Sequence, residues 1–170
     1  MALENGLIDH LLARGVATLM AETGGPLAAV SVVEARPEID PNRVFLQAYS
    51  CGATASLFAV DARKHPEKRD TKIAGVIAFF PKCYADFDPE VPTLVLIGEK
   101  DDWMSPEPCQ AIKDKPNYEV VVFPGATHGF VYPSGQAVDL MGHHIVYDEK
   151  ATLEAQRRVD AFVAAHMPPK

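Results

Sequence analysis

The stretch Gln47–Thr54, "QAYSCGAT", follows an apolar run and sets a serine beside a cysteine among small residues. A nucleophile held between a strand and a helix sits on a sharp, strained turn, so the residues two before and two after it must be small. Ser50 has Ala48 and Gly52 in those places, whereas Cys51 would have Tyr49 and Ala53, and the tyrosine would collide with the turn. Ser50 is therefore the candidate nucleophile, in a G-x-S-x-G pattern with Ala48 in the first glycine position. The backbone N–H of Cys51, at the start of the following helix, is then placed to donate to an oxyanion. A serine among small residues also caps helices, so this stretch alone leaves both readings open.

Around it, short runs rich in Val, Ile, Leu and Phe occur at 15–22, 43–49, 72–80, 92–98 and 118–125. They are apolar nearly throughout rather than alternating, as in strands covered on both faces. Helical patterns lie between and around them. Residues 7–14 put Leu7, Ile8, Leu11 and Leu12 on one stripe, and the run from Gly25 is stopped near Ala35 or Arg36 by Pro37. Residues 52–65 begin directly behind Ser50, and residues 151–166 place Ala155, Val159, Phe162 and Val163 on one face. The alternation predicts a three-layer α/β fold with a mostly parallel sheet of about five strands. Sites in such sheets form at the carboxyl ends of the strands.

The chain has 170 residues, 48% of them apolar, which suits one domain over 1–170 with a real core. The net charge of −7 and the lack of a basic cluster beyond "ARKHPEKR" argue against a nucleic-acid partner. No apolar run reaches the roughly eighteen residues of a membrane span. The acidic N-terminal stretch lacks the features of a signal peptide, so a cytoplasmic location is expected. Cys51, Cys83 and Cys109 form no CxxC pair. Cys83 and Cys109 each follow a predicted strand end; a bridge between them is sterically open, and reduced thiols are the expectation for a cytoplasmic chain.

Two further strand ends carry reactive residue types. Asp101 stands three residues beyond Gly98 in "GEKDDWMSP", closer to the strand than Asp102, and His128 lies in the Gly-flanked loop "FPGATHGF". Either residue alone reads as a surface turn or an ordinary loop histidine. Together with Ser50 they stand in the order Ser…Asp…His, each beyond a different strand, which is the chain order of α/β-hydrolase triads. The expected chemistry is acyl transfer, with His128 as base and Asp101 fixing its tautomer. Tyr49, Phe80, Tyr84, Trp103 and Phe130 fall near the same ends as candidates for an aromatic pocket, with packing under loops the competing reading for Phe80 and Phe130. His143 and His144 are adjacent and cannot form an i, i+4 metal pair. His10, His65 and His166 read as solvent-facing, and no metal or cofactor is expected.

The segments "RVFLQAYSCGA", "AFFPKC", "PTLVLIGEKDDW", "VVFPGATHGF" and "YDEKATLEAQRRVDAFVAAH" resemble the dienelactone hydrolase family of α/β-hydrolases, from about residue 7 to the end. The resemblance implies cofactor-free hydrolysis of small esters or lactones, with Ser50, Asp101 and His128 in the nucleophile, acid and base positions. Family members usually carry about three more strands ahead of the segment matched by residues 7–15, and the loop after the last of them supplies a second oxyanion donor. Here either residues 1–6 or another chain supplies a substitute N–H, or the hole has one donor. With those strands absent, the five expected strands would run in sequence order, with the first and last helices on one face. The strand at 15–22 would be an exposed edge open to homodimerisation. The competing function is a catalytically impaired, truncated hydrolase-like domain kept for binding or assembly.

Overall fold

A computed structural model describes residues 10–13, 16–19, 25–64, 72–133 and 137–167. Four parallel strands form its central sheet: β1 (Val44–Tyr49), β2 (Ile73–Phe79), β3 (Thr93–Gly98) and β4 (Tyr118–Phe123), in the spatial order β1-β2-β3-β4. The chain thus adds each strand beside the one before it, as expected. Residues 16–19, anticipated as part of a fifth strand, adopt none, and 15 and 20–22 lie outside the described residues. Among the described residues β1 is therefore an edge strand. Its burial shows this: β3 is buried at every position, whereas β1 is fully buried only at Val44.

Among the described residues, besides helical residues at 10–13 and a 3-10 turn at Pro41–Arg43, the helices are α1 (Gly25–Glu34), α2 (Ser50–Ala59), the short α3 (Glu107–Gln110) and α4 (Glu149–His166). The first ends where Pro37 requires it. The last is capped by Asp148, whose side chain accepts from the Ala151 N–H at 2.9 Å. Ala151, Ala155, Val159 and Phe162 make its buried face.

Strand pleating shows which face each helix covers. A Cβ on Gly75 would come within 3.0 Å of the Phe162 ring, and Phe45 meets Phe162 edge-on at 6.4 Å. Gly75, Ile77, Phe79, Phe45 and Tyr49 therefore face α4, and by alternation Ala48 and Val76 face the other way. Ala48 lies under Gly52 of α2, so α2 and α4 cover opposite faces. His10, in the helical segment 10–13, pairs with Asp160 of α4 at 3.0 Å. The first and last helical segments thus share a side, and His10 is a paired residue rather than the solvent-facing one expected.

An unanticipated hairpin, β5 (Val138–Leu140) and β6 (His143–Ile145), follows the His128 loop. Its two-residue turn has positive φ at both Met141 (54°) and Gly142 (86°), as a tight hairpin turn requires. No helix among the described residues is long and apolar enough to cross a membrane.

Candidate active site

The site gathers at the carboxyl ends of β1, β3 and β4. Tyr49 is extended, at φ −129° and ψ 141°, and the helix starts at the next residue. The change of direction falls on Ser50, whose φ of 50° is a left-handed conformation that a non-glycine residue adopts only at a cost of about 1–3 kcal/mol. A Cβ at Gly52 would lie 4.0 Å from the Ala48 Cβ, so alanine would fit there in contact and longer side chains would meet Ala48. Cys51 is exposed as a side chain, and its N–H belongs to the first helical turn, where no intrahelical acceptor exists.

Asp101 and His128 are brought together by close backbone approach. Glu99 and Lys100 donate their N–H groups to Phe123 O (2.9 Å) and Ala126 O (2.8 Å), and Glu99 Oε2 accepts from Gly125 N at 2.8 Å. This contact is tight enough that a Cβ on Gly98 would lie 2.3 Å from Ala126 O. Gly98 is therefore what lets the histidine loop lie on the acidic turn.

The polar chain that results is continuous. His128 donates from Nδ1 to Asp101 Oδ2 at 2.9 Å, and Ser50 Oγ lies 3.0 Å from His128 Nε2. Because a carboxylate can only accept, Nδ1 carries the proton and Nε2 is left to accept from Ser50. The other carboxylate oxygen, Oδ1, accepts from the N–H groups of Trp103 (3.0 Å) and Met104 (2.7 Å). Asp101 and His128 are both buried, each 4% exposed. Asp102, the neighbouring acid, points elsewhere and pairs with His143.

The aromatic candidates divide. Trp103 lies 5.1 Å from the His128 ring, and Phe80 meets that ring edge-on at 4.6 Å. Tyr49 stacks on Phe79 at 4.9 Å, approaches Phe80 and Tyr132, and its hydroxyl accepts from Gln47 Nε2 at 2.7 Å. Phe130 is fully buried against Phe80 and Phe123, so its place is the core rather than a pocket wall. Tyr84 also departs from expectation. It stacks on Phe58 at 4.9 Å, roughly 12 Å along α2 from Ser50 at the helical rise. Burial, and after it the Asp61 carboxylate, pushes the Tyr84 hydroxyl pKa well up. It belongs with Phe58, Asp61 and Phe87 on the flank of α2.

One expectation about other side chains is corrected, and one histidine takes a place the sequence does not announce. Cys83 and Cys109 are disulfide-bonded, with Cα atoms 5.0 Å apart, not reduced thiols; the loop after β2 and the start of α3 lie within bridging distance. The ring of His143 stacks on Trp103 at 4.6 Å, beside the site. Residues 1–6, one of the sources weighed for a second oxyanion donor, lie outside the described residues, as does His65.

The model of the dienelactone hydrolase family matches residues 7–167. The chain belongs to the dienelactone hydrolase family. Its fold is shared with a dienelactone hydrolase-like promiscuous phosphotriesterase from metagenomic libraries, at 17% identity and a TM-score of 0.64, over 84% of this chain and 60% of that one. A carboxylesterase from Lactobacillus plantarum superposes with a TM-score of 0.54 at 14% identity, covering 85% and 68% of the two chains. A monoacylglycerol lipase of Paleococcus ferrophilus gives 0.59 at 14% identity, over 96% of this chain and 89% of that one. At these identities the likeness is one of fold. The chain spans about three fifths of the length of the phosphotriesterase. No curated protein matches in sequence.

Proposed function

We propose that the chain is a serine hydrolase of small carboxylic esters or lactones, working through an acyl-enzyme on Ser50. The observation that carries this reading is the unbroken hydrogen-bond line Asp101–His128–Ser50, ending on a serine at a left-handed strand-to-helix turn. Membership of the dienelactone hydrolase family supports the reaction class.

In the proposed cycle Ser50 Oγ attacks the carbonyl carbon while its proton passes to His128 Nε2. The carbonyl oxygen becomes an alkoxide that accepts from the Cys51 N–H. The tetrahedral species collapses as Nε2–H protonates the leaving alcohol oxygen, which in a lactone stays attached to the acyl chain. Water then repeats the sequence, with Nε2 taking its proton and Ser50 leaving. Asp101 keeps the proton on Nδ1 beforehand and stabilises the imidazolium afterwards. The two backbone N–H groups on its Oδ1 hold the carboxylate in place for both tasks.

The test is hydrolysis of p-nitrophenyl acetate and a small lactone by the purified chain, beside Ser50→Ala and His128→Ala. Turnover that both variants lose supports the reading. Equal background rates in all three refute it and favour a catalytically impaired hydrolase-like domain.

A further inference from the structure

The acidic turn after β3 and the β5–β6 hairpin meet around Trp103, the chain's single tryptophan. The indole touches two imidazoles: His128 at 5.1 Å with a 38° tilt, and His143 at 4.6 Å, nearly parallel at 15°. His143 in turn donates from Nδ1 to Asp102 Oδ1 at 3.2 Å. The hairpin is anchored on both sides of His128: Val146 N donates to Thr127 Oγ1 and Asp148 N to Phe130 O, each at 2.9 Å.

A hydrogen bond to Asp101 pins one atom of the His128 ring but leaves the ring free to tilt about it. What limits the tilt is packing, from Phe80 and Trp103. Phe80 is fully buried and fixed; Trp103 is only half-buried and depends on what lies against it. Alternation along β6 turns His143 toward this cluster and His144 away, their side chains being 29% and 58% exposed. His144 makes the same kind of carboxylate pair, with Asp139 at 2.8 Å, on the exposed side of the hairpin.

We propose that His143 is a positioning residue for the general base: stacked on Trp103 and paired with Asp102, it holds the indole against His128 and so keeps Nε2 in line with Ser50 Oγ. The proposal rests on the acyl-transfer reading above. It assigns the hairpin a part in the rate of the chemical step rather than in substrate binding.

The experiment compares His143→Gln, which keeps a donor without an aromatic ring, with His143→Phe, which keeps a ring without the donor. His144→Ala serves as the control on the same hairpin. For each, kcat and KM for p-nitrophenyl acetate are measured together with the emission of Trp103. His143→Gln is expected to lower kcat roughly 3- to 10-fold at unchanged KM and to shift the emission to the red as water reaches the indole. His143→Phe should restore most of both, and His144→Ala should match wild type. Wild-type kcat in His143→Gln would overturn the proposal, as would a loss in His143→Phe equal to that in His143→Gln. Wild-type chain without Ser50-dependent turnover would instead overturn the hydrolase reading. Emission then decides alone: a red shift in His143→Gln that His143→Phe reverses supports the stack, and identical spectra overturn it.

Discussion

Replacing Gly98 by alanine should disable the site without touching any reacting atom. The added Cβ would lie 2.3 Å from Ala126 O and 2.7 Å from Ala126 C, both backbone atoms, where ordinary contact begins near 3.4 Å. The histidine loop must therefore withdraw by about 1 Å, the kind of displacement that costs on the order of 10²-fold in rate when it separates reacting groups. Asp101 leaves from one side of this contact and His128 from the other, so the whole displacement falls on the Asp101–His128–Ser50 line. Overpacking of this kind also costs roughly 1–3 kcal/mol, a fall in Tm of roughly 2–12 °C for a chain of this size. Ester hydrolysis followed beside thermal melting by circular dichroism reads both. Gly98→Ala at wild-type kcat and Tm would show that the loop does not rest on Gly98, and the account of how acid and base meet would fall.

Three further outcomes are expected. Asp101→Asn, which offers His128 Nδ1 an amide in place of a carboxylate, should lower kcat by about 10³–10⁴-fold with little change in KM; steady-state kinetics would show it. Mass measurement without reductant should find the chain two hydrogens lighter than its reduced form, and reduction of Cys83–Cys109 should cost about 2–4 kcal/mol in thermal or denaturant unfolding. For Asp61, burial pushes its carboxyl pKa up, but hydrogen bonds from the Arg63 side chain and backbone, with the Arg63 charge beside it, outweigh burial and leave the pKa lowered from 3.8. A depressed carboxyl stabilises above its ordinary pKa and loses that contribution as pH falls through the folded value. Asp61→Asn should therefore be about 1–2 kcal/mol less stable at pH 7, a gap that closes below about pH 3.8 in melting curves; a pH-independent gap would contradict the cause given.

The sheet was legible because its central strands are buried on both faces: the apolar runs around β2 and β3 have no second reading at their length. The elbow at Ser50 was legible from steric grounds alone, since a tyrosine two residues before the turn is excluded where an alanine is not. The run at 15–22 shows where this logic stops. Its composition is that of a strand, but residues 16–19 form none even though β1 is an edge strand among the described residues, since composition alone does not say whether an apolar run pairs. The hairpin is hidden from a reading by helical spacing, in which adjacent histidines share no face. On a strand, adjacent residues point to opposite faces, and the same adjacency sends His143 to Trp103 and His144 to the surface. Tyr84 illustrates a different limit: following a strand end places a residue at the right layer of the fold, and the direction it then takes depends on Phe58 and Phe87, which no local pattern announces.

Whether Ser50 is the nucleophile, as proposed, can be read directly by trapping an acyl-enzyme. The chain is mixed with p-nitrophenyl acetate, quenched in acid and digested, and the peptide holding residues 50 and 51 is fragmented in a mass spectrometer. One acetyl group on Ser50, absent from Ser50→Ala, is the predicted result. Acetyl on Cys51, or an unmodified peptide while hydrolysis proceeds, would contradict it.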